Sequence, residues 1–357
     1  MSTLLTMLDG ANPDFSGVSK EALLLSKDVG DPSLSLSERI ESFEDIINLE
    51  VGDTSFTRAR NLERESGIRQ MFLKFEGNNP TGTQKDRIAF SQCHDALRRG
   101  FDTITVATCG NYGASIALAA KLSGLQCKIF IPQDYHTQRI DEMKGYGAEV
   151  ERCQGNYEES VRHSIERAES SGWYDANPGG VNTPLQIMSY AEIAYEIYDA
   201  LRDAPKMVAV PVSNGTLITG VYRGFVNLYK RGKTSRIPRM IAASSTHKNP
   251  IVYSYRKNLD RCIDLTPDSI KETAVNEPLI NWHSFDGNDA LYSIRASHGA
   301  AYDISDEKML RLSRLLKEKE GLHVLPASTA GLAALFGMHA NEELEADRYV
   351  ILLTGKK

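Results

Sequence analysis

One lysine follows a turn of small and polar residues in the segment LKFEGNNPTGTQKDRIAF. An apolar strand is predicted to enter this turn, and a helix is predicted to begin near Lys85. A phosphate-binding P-loop is the first chemistry to test, because Gly77 and Gly82 have the spacing of its two glycines. Thr83 follows Gly82 where the P-loop lysine should be, and Asp86 follows Lys85 where a magnesium-binding hydroxyl should follow the lysine. The segment therefore does not predict a P-loop.

A second joint, PVSNGTLITG, has the features of an anion site. It follows the predicted strand MVAVP and opens a helix, so its backbone N–H groups would face a ligand at the carboxyl edge of a sheet. Unpaired donors and the positive end of the helix dipole favour phosphate there. The donors would come from Asn214, Gly215, Thr216, Leu217 and Ile218. An ordinary turn is the alternative interpretation, since turns favour the same residue types.

Two further joints carry the same residue types. TCGNYGAS holds only the glycine pair Gly110 and Gly113, which is weak evidence for a nicotinamide-binding turn. LLTGKK follows the last predicted strand. Open α/β sheets bind ligands at joints of this kind, so all four are candidates for one site.

Strands alternate with helices along most of the chain. TITVAT is β-branched and precedes NYGASIALAAKLSG, a helical segment that Gly124 is predicted to end. CKIFIP, AEVERC, MVAVPV and RMIAAS are further strands, and Ser35 with Glu38 predicts a capping box on an early helix. This alternation predicts an α/β fold with parallel sheet covered by helices on both faces. Residues 260–302 are polar and show no convincing period, so no element is predicted there.

Composition excludes several classes of protein. The 357 residues, 41% of them hydrophobic, favour two domains. No run approaches the ~20 apolar residues of a membrane span, and the amino terminus lacks the basic flank of a secretory signal. Five cysteines without a C-x-x-C pair fit a reduced compartment and give no metal framework, and a net charge of −6 disfavours nucleic acid. We expect a cytoplasmic protein with no membrane, nucleic-acid or metal partner.

Taken in order, the joints resemble the pyridoxal-phosphate enzymes of the tryptophan synthase β family (fold type II), and most closely the threonine synthases. NPTGTQKDR is similar to the lysine segment N-P-T-G-S-x-K-D-R. TCGNYGAS is similar to the asparagine loop S-G-N, and PVSNGTLITGVYRGF to the phosphate loop. LPASTAGLAAL and LLTGKK resemble the closing helix and strand, and GDTSFTRA matches the early G-x-T-P-L turn imperfectly. The resemblance covers roughly residues 51–355.

The resemblance implies that Lys85 holds pyridoxal 5′-phosphate as a Schiff base and later moves protons. A solvated charge cluster of Lys85, Asp86 and Arg87 is the alternative interpretation. Asn111 would donate a hydrogen bond to the phenolic oxygen of the cofactor ring, although it would also suit a helix N-cap. Thr354 would place a neutral hydroxyl at the pyridine nitrogen, which favours elimination and replacement over transamination.

The cofactor phosphate would be bound mostly by backbone donors, with the hydroxyl of Thr216 or Thr219 as a further donor. The residues of this loop are Ser213, Asn214, Gly215, Thr216, Leu217 and Ile218.

The residues expected to bind the amino-acid substrate depart from the threonine synthase pattern. They are Thr108, Cys109, Gly110 and Tyr112, whereas relatives usually offer a Thr or Ser hydroxyl on both sides of the Gly-Asn pair. YDANPGGVNTPLQ lacks the arginine that binds substrate phosphate in the family, and loss of such a clamp needs another cation. His136 and Arg139 are the candidate substitutes. Leu325 replaces a glutamate that is common at the start of the closing motif.

The family comparison implies two domains, each with three layers around a parallel sheet. A small mobile domain of residues 86–180 would carry the asparagine loop, and a large domain of residues 1–85 and 181–357 would carry the phosphate loop. The small domain is expected to close over a substrate bound between them and to exclude water. A homodimer is expected for the fold.

The implied reaction is β- or γ-elimination or replacement on an amino acid. Lys85 is released, it removes the substrate α-proton, a leaving group departs, and water or another nucleophile adds. Phosphohomoserine to threonine is the leading hypothesis. A serine or threonine dehydratase and a cysteine synthase-like β-replacement on a serine derivative are the enzymatic alternatives. A non-catalytic binding module is the alternative of another class.

Overall fold

The computed structural model describes residues 15–108, 110–133, 135, 137 and 139–357. The chain divides into two compact units, which we name after the candidate residues that they carry. The lysine unit consists of Met1–Val51 and Asn79–Leu185, and the phosphate-loop unit of Gly52–Asn78 and Gln186–Lys357. Within the described residues, no helix is long and apolar enough to cross a membrane.

Strands and helices alternate along the chain. The strands are β1 (Ser55–Arg58), β2 (Met71–Phe75), β3 (Thr103–Ala107), β4 (Gln126–Pro132), β5 (Glu149–Cys153), β6 (Tyr174–Asp175), β7 (Met207–Pro211), β8 (Arg239–Ser245), β9 (Ala300–Ile304) and β10 (Tyr349–Leu353). The α-helices are α1 (Lys20–Gly30), α2 (Leu36–Glu50), α3 (Arg60–Ser66), α4 (Lys85–Arg98), α5 (Asn111–Ser123), α6 (Ile140–Gly145), α7 (Tyr157–Ser171), α8 (Thr183–Leu201), α9 (Thr216–Lys230), α10 (Pro250–Arg256), α11 (Gly287–Ala296), α12 (Asp306–Glu320) and α13 (Ala330–Asn341).

The lysine unit contains a four-stranded parallel sheet in the order β5-β4-β3-β6. All five residues of β3 are buried, and α4, α5 and α7 pack against this strand. The predicted strand TITVAT and helix NYGASIALAAKLSG are confirmed. Gly124 ends α5 in the left-handed conformation at φ 73°, as the sequence predicts. The capping box of Ser35 and Glu38 is also confirmed at the start of α2.

The phosphate-loop unit contains a six-stranded sheet in the order β1-β2-β10-β7-β8-β9. β1 pairs with β2 antiparallel, and the other neighbours are parallel. Ala209 and Ile241 lie on the face that packs against Leu332 of α13. The alternating residues Val208 and Met240 are also buried; α9 contacts β7 and β8, and α11 contacts β8. The predicted α/β fold with parallel sheets is therefore confirmed.

The division into units differs from the predicted domains in three respects, and one of them is that the lysine unit extends to Leu185 instead of ending at residue 180. Residues up to Val51 group with the lysine unit, because α1 packs on α5 and α2 packs on α4. The boundary falls between Asn78 and Asn79, whereas the prediction placed it after Lys85. Closure of a small domain over substrate stays a prediction.

The polar stretch of residues 260–302 contains α11 and the start of β9, for which the sequence predicts no element. β9 is the edge strand next to β8, and three of its five residues are only partly buried. Because an edge strand needs neither a continuous apolar run nor strict alternation, its pattern is weak.

Candidate active site

Lys85 is the first residue of α4 in the lysine unit. The turn before it is held by Asp86, whose carboxylate accepts hydrogen bonds from the N–H (2.8 Å) and the hydroxyl (2.7 Å) of Thr81. Thr83 Oγ1 accepts a hydrogen bond from the N–H of Lys85 at 3.2 Å. Gly82 turns the chain at φ 82°, where glycine is favoured. These contacts fix the backbone from which the Lys85 side chain extends.

Asp86 is fully buried, and Arg87 is only 5% exposed. A solvated charge cluster at this helix start is therefore wrong as an interpretation. Burial raises the pKa of Asp86 to about 6, while hydrogen bonds from Thr81 and Ser115 and the charge of Arg139 act in the opposite direction.

The asparagine loop joins β3 to α5. Gly110 is the N-cap of α5, with φ 149°, a conformation that side chains rarely adopt. Thr108 is buried, and its hydroxyl oxygen accepts a hydrogen bond from the N–H of Gly110 at 3.3 Å. Asn111 is the first residue of the helix and does not cap it, so the alternative interpretation as an N-cap is wrong. Its side-chain oxygen instead accepts a hydrogen bond from Arg139 at 2.8 Å.

Tyr112 points into the lysine unit. Its hydroxyl donates to the carbonyl of Ala176 at 2.9 Å and accepts a hydrogen bond from the side-chain amide of Gln92. Lys85 Nζ lies 5.6 Å from the centroid of the Tyr112 ring, close enough for a cation–π interaction. The tyrosine therefore presents its ring to the lysine amine and keeps its hydroxyl in the interior.

The predicted phosphate loop joins β7 to α9 in the phosphate-loop unit. Gly215 is the N-cap of α9 at φ 99°, and no side chain caps this helix. A Cβ at Gly215 would lie 2.7 Å from Cβ of Ala290 and 2.9 Å from the carbonyl oxygen of Asp286. The first N–H groups of α9 have no carbonyl partner within the helix. The loop therefore forms a tight backbone cradle at the positive end of a helix dipole.

The hydroxyls of Thr216 and Thr219 both donate hydrogen bonds to groups within the phosphate-loop unit. Thr216 donates its hydroxyl to the carboxylate of Asp286, and Thr219 donates its hydroxyl to the carbonyl of Gly215 at 2.9 Å. Because a hydroxyl has one hydrogen, neither donates to a further anion in this arrangement. In this arrangement the two threonine hydroxyls are therefore not donors for a phosphate, whereas the backbone N–H groups that begin α9 are.

The phosphate loop is anchored by residues that follow β8, which the sequence reasoning missed. The carbonyl of Ser213 accepts hydrogen bonds from Asn249 Nδ2 (3.0 Å) and Ser284 Oγ (3.2 Å). The carbonyl of Asn214 accepts a hydrogen bond from the N–H of Asp286 at 3.0 Å. Asn249 also caps α10, and its position directly before a proline is the local signal that could have identified it.

Thr354 follows β10, the last strand. Its Oγ1 lies 3.0 Å from Ser328 Oγ, and Ser328 also accepts a hydrogen bond from the N–H of Gly355 at 3.0 Å. Ser328 belongs to the LPASTAGLAAL motif, so the two closing motifs predicted from the sequence meet at this point. Both contacting side chains are neutral hydroxyls.

Each unit therefore brings together part of the predicted set. The lysine unit holds Lys85, Thr108, Gly110, Asn111 and Tyr112, and the phosphate-loop unit holds residues 213–218 and Thr354. Cys109 and His136 lie outside the described residues.

A family model described as pyridoxal-phosphate dependent enzyme matches residues 47–355 of the chain. The chain belongs to this family. Its cofactor is therefore pyridoxal 5′-phosphate, and the ordered motifs fall within the matched range except for the last two residues of LLTGKK.

Two curated relatives of the chain are threonine synthases. Threonine synthase from Methanocaldococcus jannaschii is 30% identical over 311 residues, which cover 87% of this chain and 75% of that protein. Threonine synthase from Halalkalibacterium halodurans is 31% identical over 317 residues, which cover 87% of this chain and 83% of that protein. The chain is thus a pyridoxal-phosphate dependent lyase that resembles threonine synthase.

A solved structure supports the fold. Serine racemase from maize matches with a TM-score of 0.72 at 20% identity, covering 89% of this chain and 93% of that chain. This likeness shows a shared architecture.

The residues of this pyridoxal-phosphate dependent enzyme fit the cofactor's chemical groups. Gly215 leaves no room for a Cβ against Ala290 and Asp286, and the first N–H groups of α9 that follow it are donors suited to phosphate. Lys85 offers an amine for the aldehyde. Asn111 offers an amide group, and Thr354 offers a neutral hydroxyl, so every polar group of the cofactor has a partner of matching chemistry in the chain.

Proposed function

We propose that the enzyme converts phosphohomoserine to threonine, releasing phosphate from the γ-carbon and adding water at the β-carbon. The similarity of 87% of the chain to two threonine synthases carries this proposal. The ordered lysine, asparagine and phosphate-loop motifs support it, because they keep the family's order along the chain.

In this proposal Lys85 binds the cofactor and, once released, moves the proton at the substrate α-carbon. Bound pyridoxal phosphate supplies an electron sink for the charge that develops at this carbon. The ring of Tyr112, 5.6 Å from Lys85 Nζ, shields one side of the amine from water. The backbone N–H groups of residues 213–218 hold the cofactor phosphate. Thr108 offers its hydroxyl hydrogen to the substrate, because its oxygen already accepts the N–H of Gly110.

Thr354 supports elimination and replacement over transamination. Its hydroxyl contacts Ser328, so in its proposed role beside the pyridine nitrogen Thr354 would offer a neutral partner, whereas a carboxylate there would keep that nitrogen protonated. A weaker electron sink favours departure of a group from the β- or γ-carbon, because less charge is withdrawn into the ring.

One observation favours a second candidate, elimination or β-replacement on serine or a serine derivative. Of the two candidate substitutes for the missing phosphate-binding arginine, Arg139 lies within the described residues. Its guanidinium already binds both carboxylate oxygens of Glu142 at 2.8 Å. A substrate phosphate would have to compete with this ion pair. An unphosphorylated substrate needs no such clamp.

Product analysis with purified enzyme distinguishes the two. Phosphohomoserine should yield threonine and inorganic phosphate in equal amounts, while serine and threonine should yield little keto acid. Sulfide with an activated serine should yield little cysteine. Keto acid from serine, or cysteine from an activated serine, at rates above phosphate release would refute the proposal in favour of the second candidate. Lys85→Ala is the control, because it removes every cofactor-dependent reaction.

We also propose a cytoplasmic homodimer. The cysteines that the structure describes are free, in keeping with a reduced compartment. The mass in solution, from light scattering, should be twice that of the 39.6 kDa chain. A monomer that retains full activity would refute the dimer.

A further inference from the structure

Arg139 contacts three parts of the lysine unit at once. Its Nη1 donates to Asn111 Oδ1 at 2.8 Å, and its Nη2 donates to the backbone carbonyl of Thr81 at 3.0 Å. Its Nε and Nη2 donate to the two carboxylate oxygens of Glu142, each at 2.8 Å. Arg139 therefore links the asparagine loop and the lysine turn to the start of α6.

The chemistry of the guanidinium fixes the orientation of the Asn111 amide. Arginine carries only donors, so the atom of Asn111 that faces Arg139 must be the amide oxygen. The NH₂ group is then turned to the other side of the side chain. The bidentate pair with Glu142 holds the plane of the guanidinium, so the orienting donor is itself held in place.

We propose that Arg139 is a positioning residue that fixes the amide of Asn111 with its NH₂ group available to the cofactor. This inference rests on the proposed role of Asn111 as a donor to the phenolic oxygen of the cofactor ring. An amide free to rotate would also present its oxygen, and two acceptors facing each other repel. Arg139 therefore acts through Asn111 and does not bind the substrate phosphate.

The hydrogen bond has a spectroscopic consequence that needs no substrate. A donor at the phenolic oxygen stabilises negative charge there, so it favours the deprotonated state of the bound cofactor. Loss of one such bond should raise the pH midpoint of the cofactor's visible band by about 0.5 to 1 unit. The readout is therefore a pH titration of the visible spectrum of the resting holoenzyme.

The variants form a cycle with a matched control. Arg139→Met and Asn111→Ala should each raise the midpoint, and the double variant should match Asn111→Ala, because Arg139 has no effect once the amide is gone. Arg139→Lys keeps a cationic donor and should retain most of the wild-type behaviour. Arg152→Met is the control, since Arg152 binds the carbonyls of Gln133 (2.7 Å) and Tyr135 (2.9 Å) without contacting Asn111.

Four outcomes would overturn the proposal. The first is a wild-type midpoint in Arg139→Met. The second is an equal shift in Arg152→Met, which would make the effect one of loop structure. The third is a further shift when Arg139→Met is added to Asn111→Ala. If Arg139→Met does not bind the cofactor, a midpoint of Arg139→Lys equal to that of Asn111→Ala would overturn it as well. Failure of the enzyme to use phosphohomoserine leaves this titration interpretable, because no substrate is present.

Discussion

Replacement of Gly215 by alanine should weaken cofactor binding by distorting the backbone cradle. Gly215 has φ 99°, and the added Cβ would lie 2.7 Å from Cβ of Ala290 and 2.9 Å from the carbonyl oxygen of Asp286. Neither contact is with the end of a flexible side chain, so the loop itself must move. The N–H groups that begin α9 would move with it.

The cost has two parts. A residue with a Cβ in the left-handed region costs roughly 1–2 kcal/mol, and overpacking at a tight contact costs about 1–3 kcal/mol. The variant should therefore lose about 2–5 kcal/mol of unfolding free energy. If about 1.4 to 2.8 kcal/mol of this strain is lost from the binding free energy of the cofactor, the cofactor Kd rises about 10- to 100-fold.

Gly232→Ala is the matched control, because it adds only the cost of a Cβ in the left-handed backbone conformation, without overpacking. Gly232 follows the other end of α9 and has φ 66°, but nothing lies within 4 Å of its hypothetical Cβ. It should lose only roughly 1–2 kcal/mol of unfolding free energy, with an unchanged cofactor Kd. Equilibrium titration of the visible band gives the Kd, and urea unfolding gives the stability. A wild-type Kd in Gly215→Ala would refute the cradle as the phosphate site.

Further variants test the lysine unit and the buried charges. Burial raises the pKa of Asp86 to about 6 from 3.8, so the unfolding free energy should fall as pH rises through this window. Asp86→Asn should reduce this pH dependence, as measured by urea unfolding at several pH values. An equal pH dependence in the wild type and the variant would contradict the burial argument. Tyr112→Phe removes the hydroxyl that binds Ala176, which should cost about 1–3 kcal/mol in urea unfolding while the cofactor's visible spectrum stays unchanged; a changed spectrum would place the hydroxyl near the cofactor. Lys74 is 1% exposed, pairs with Glu196 and donates to the carbonyl of Thr54, so Lys74→Met should cost about 3 kcal/mol by removing this buried cation and its contacts. A loss below about 1 kcal/mol would show that water replaces the lysine.

The strands, helices and candidate loops could be predicted where local signals are strong. Lys85 and Gly215 each lie at a joint between an apolar strand and a helix, and such joints combine hydrophobic pattern with glycine-rich turns. The orientation of Tyr112 could not be predicted, because its hydroxyl partners Gln92 and Ala176 lie 20 and 64 residues away in sequence.

The residues that hold the loops of the site in place are harder to predict from the sequence. Ser284 and Asp286 hold the phosphate loop from about 70 residues away, and they lie in a polar stretch without a period. Their function depends on contacts made only after the sheet has formed, so composition and spacing do not reveal it. The same applies to Arg139, whose partners Thr81 and Asn111 lie on other loops of the unit.

The attachment of the cofactor to Lys85 is the central claim, and one measurement tests it directly. The purified enzyme is reduced with borohydride and digested, and the pyridoxyl group is located by peptide mass. We expect the adduct on Lys85 in the peptide that contains NPTGTQK, and no adduct in Lys85→Ala. An adduct on another lysine, or a protein that gains none after incubation with pyridoxal phosphate, would contradict the assignment of Lys85.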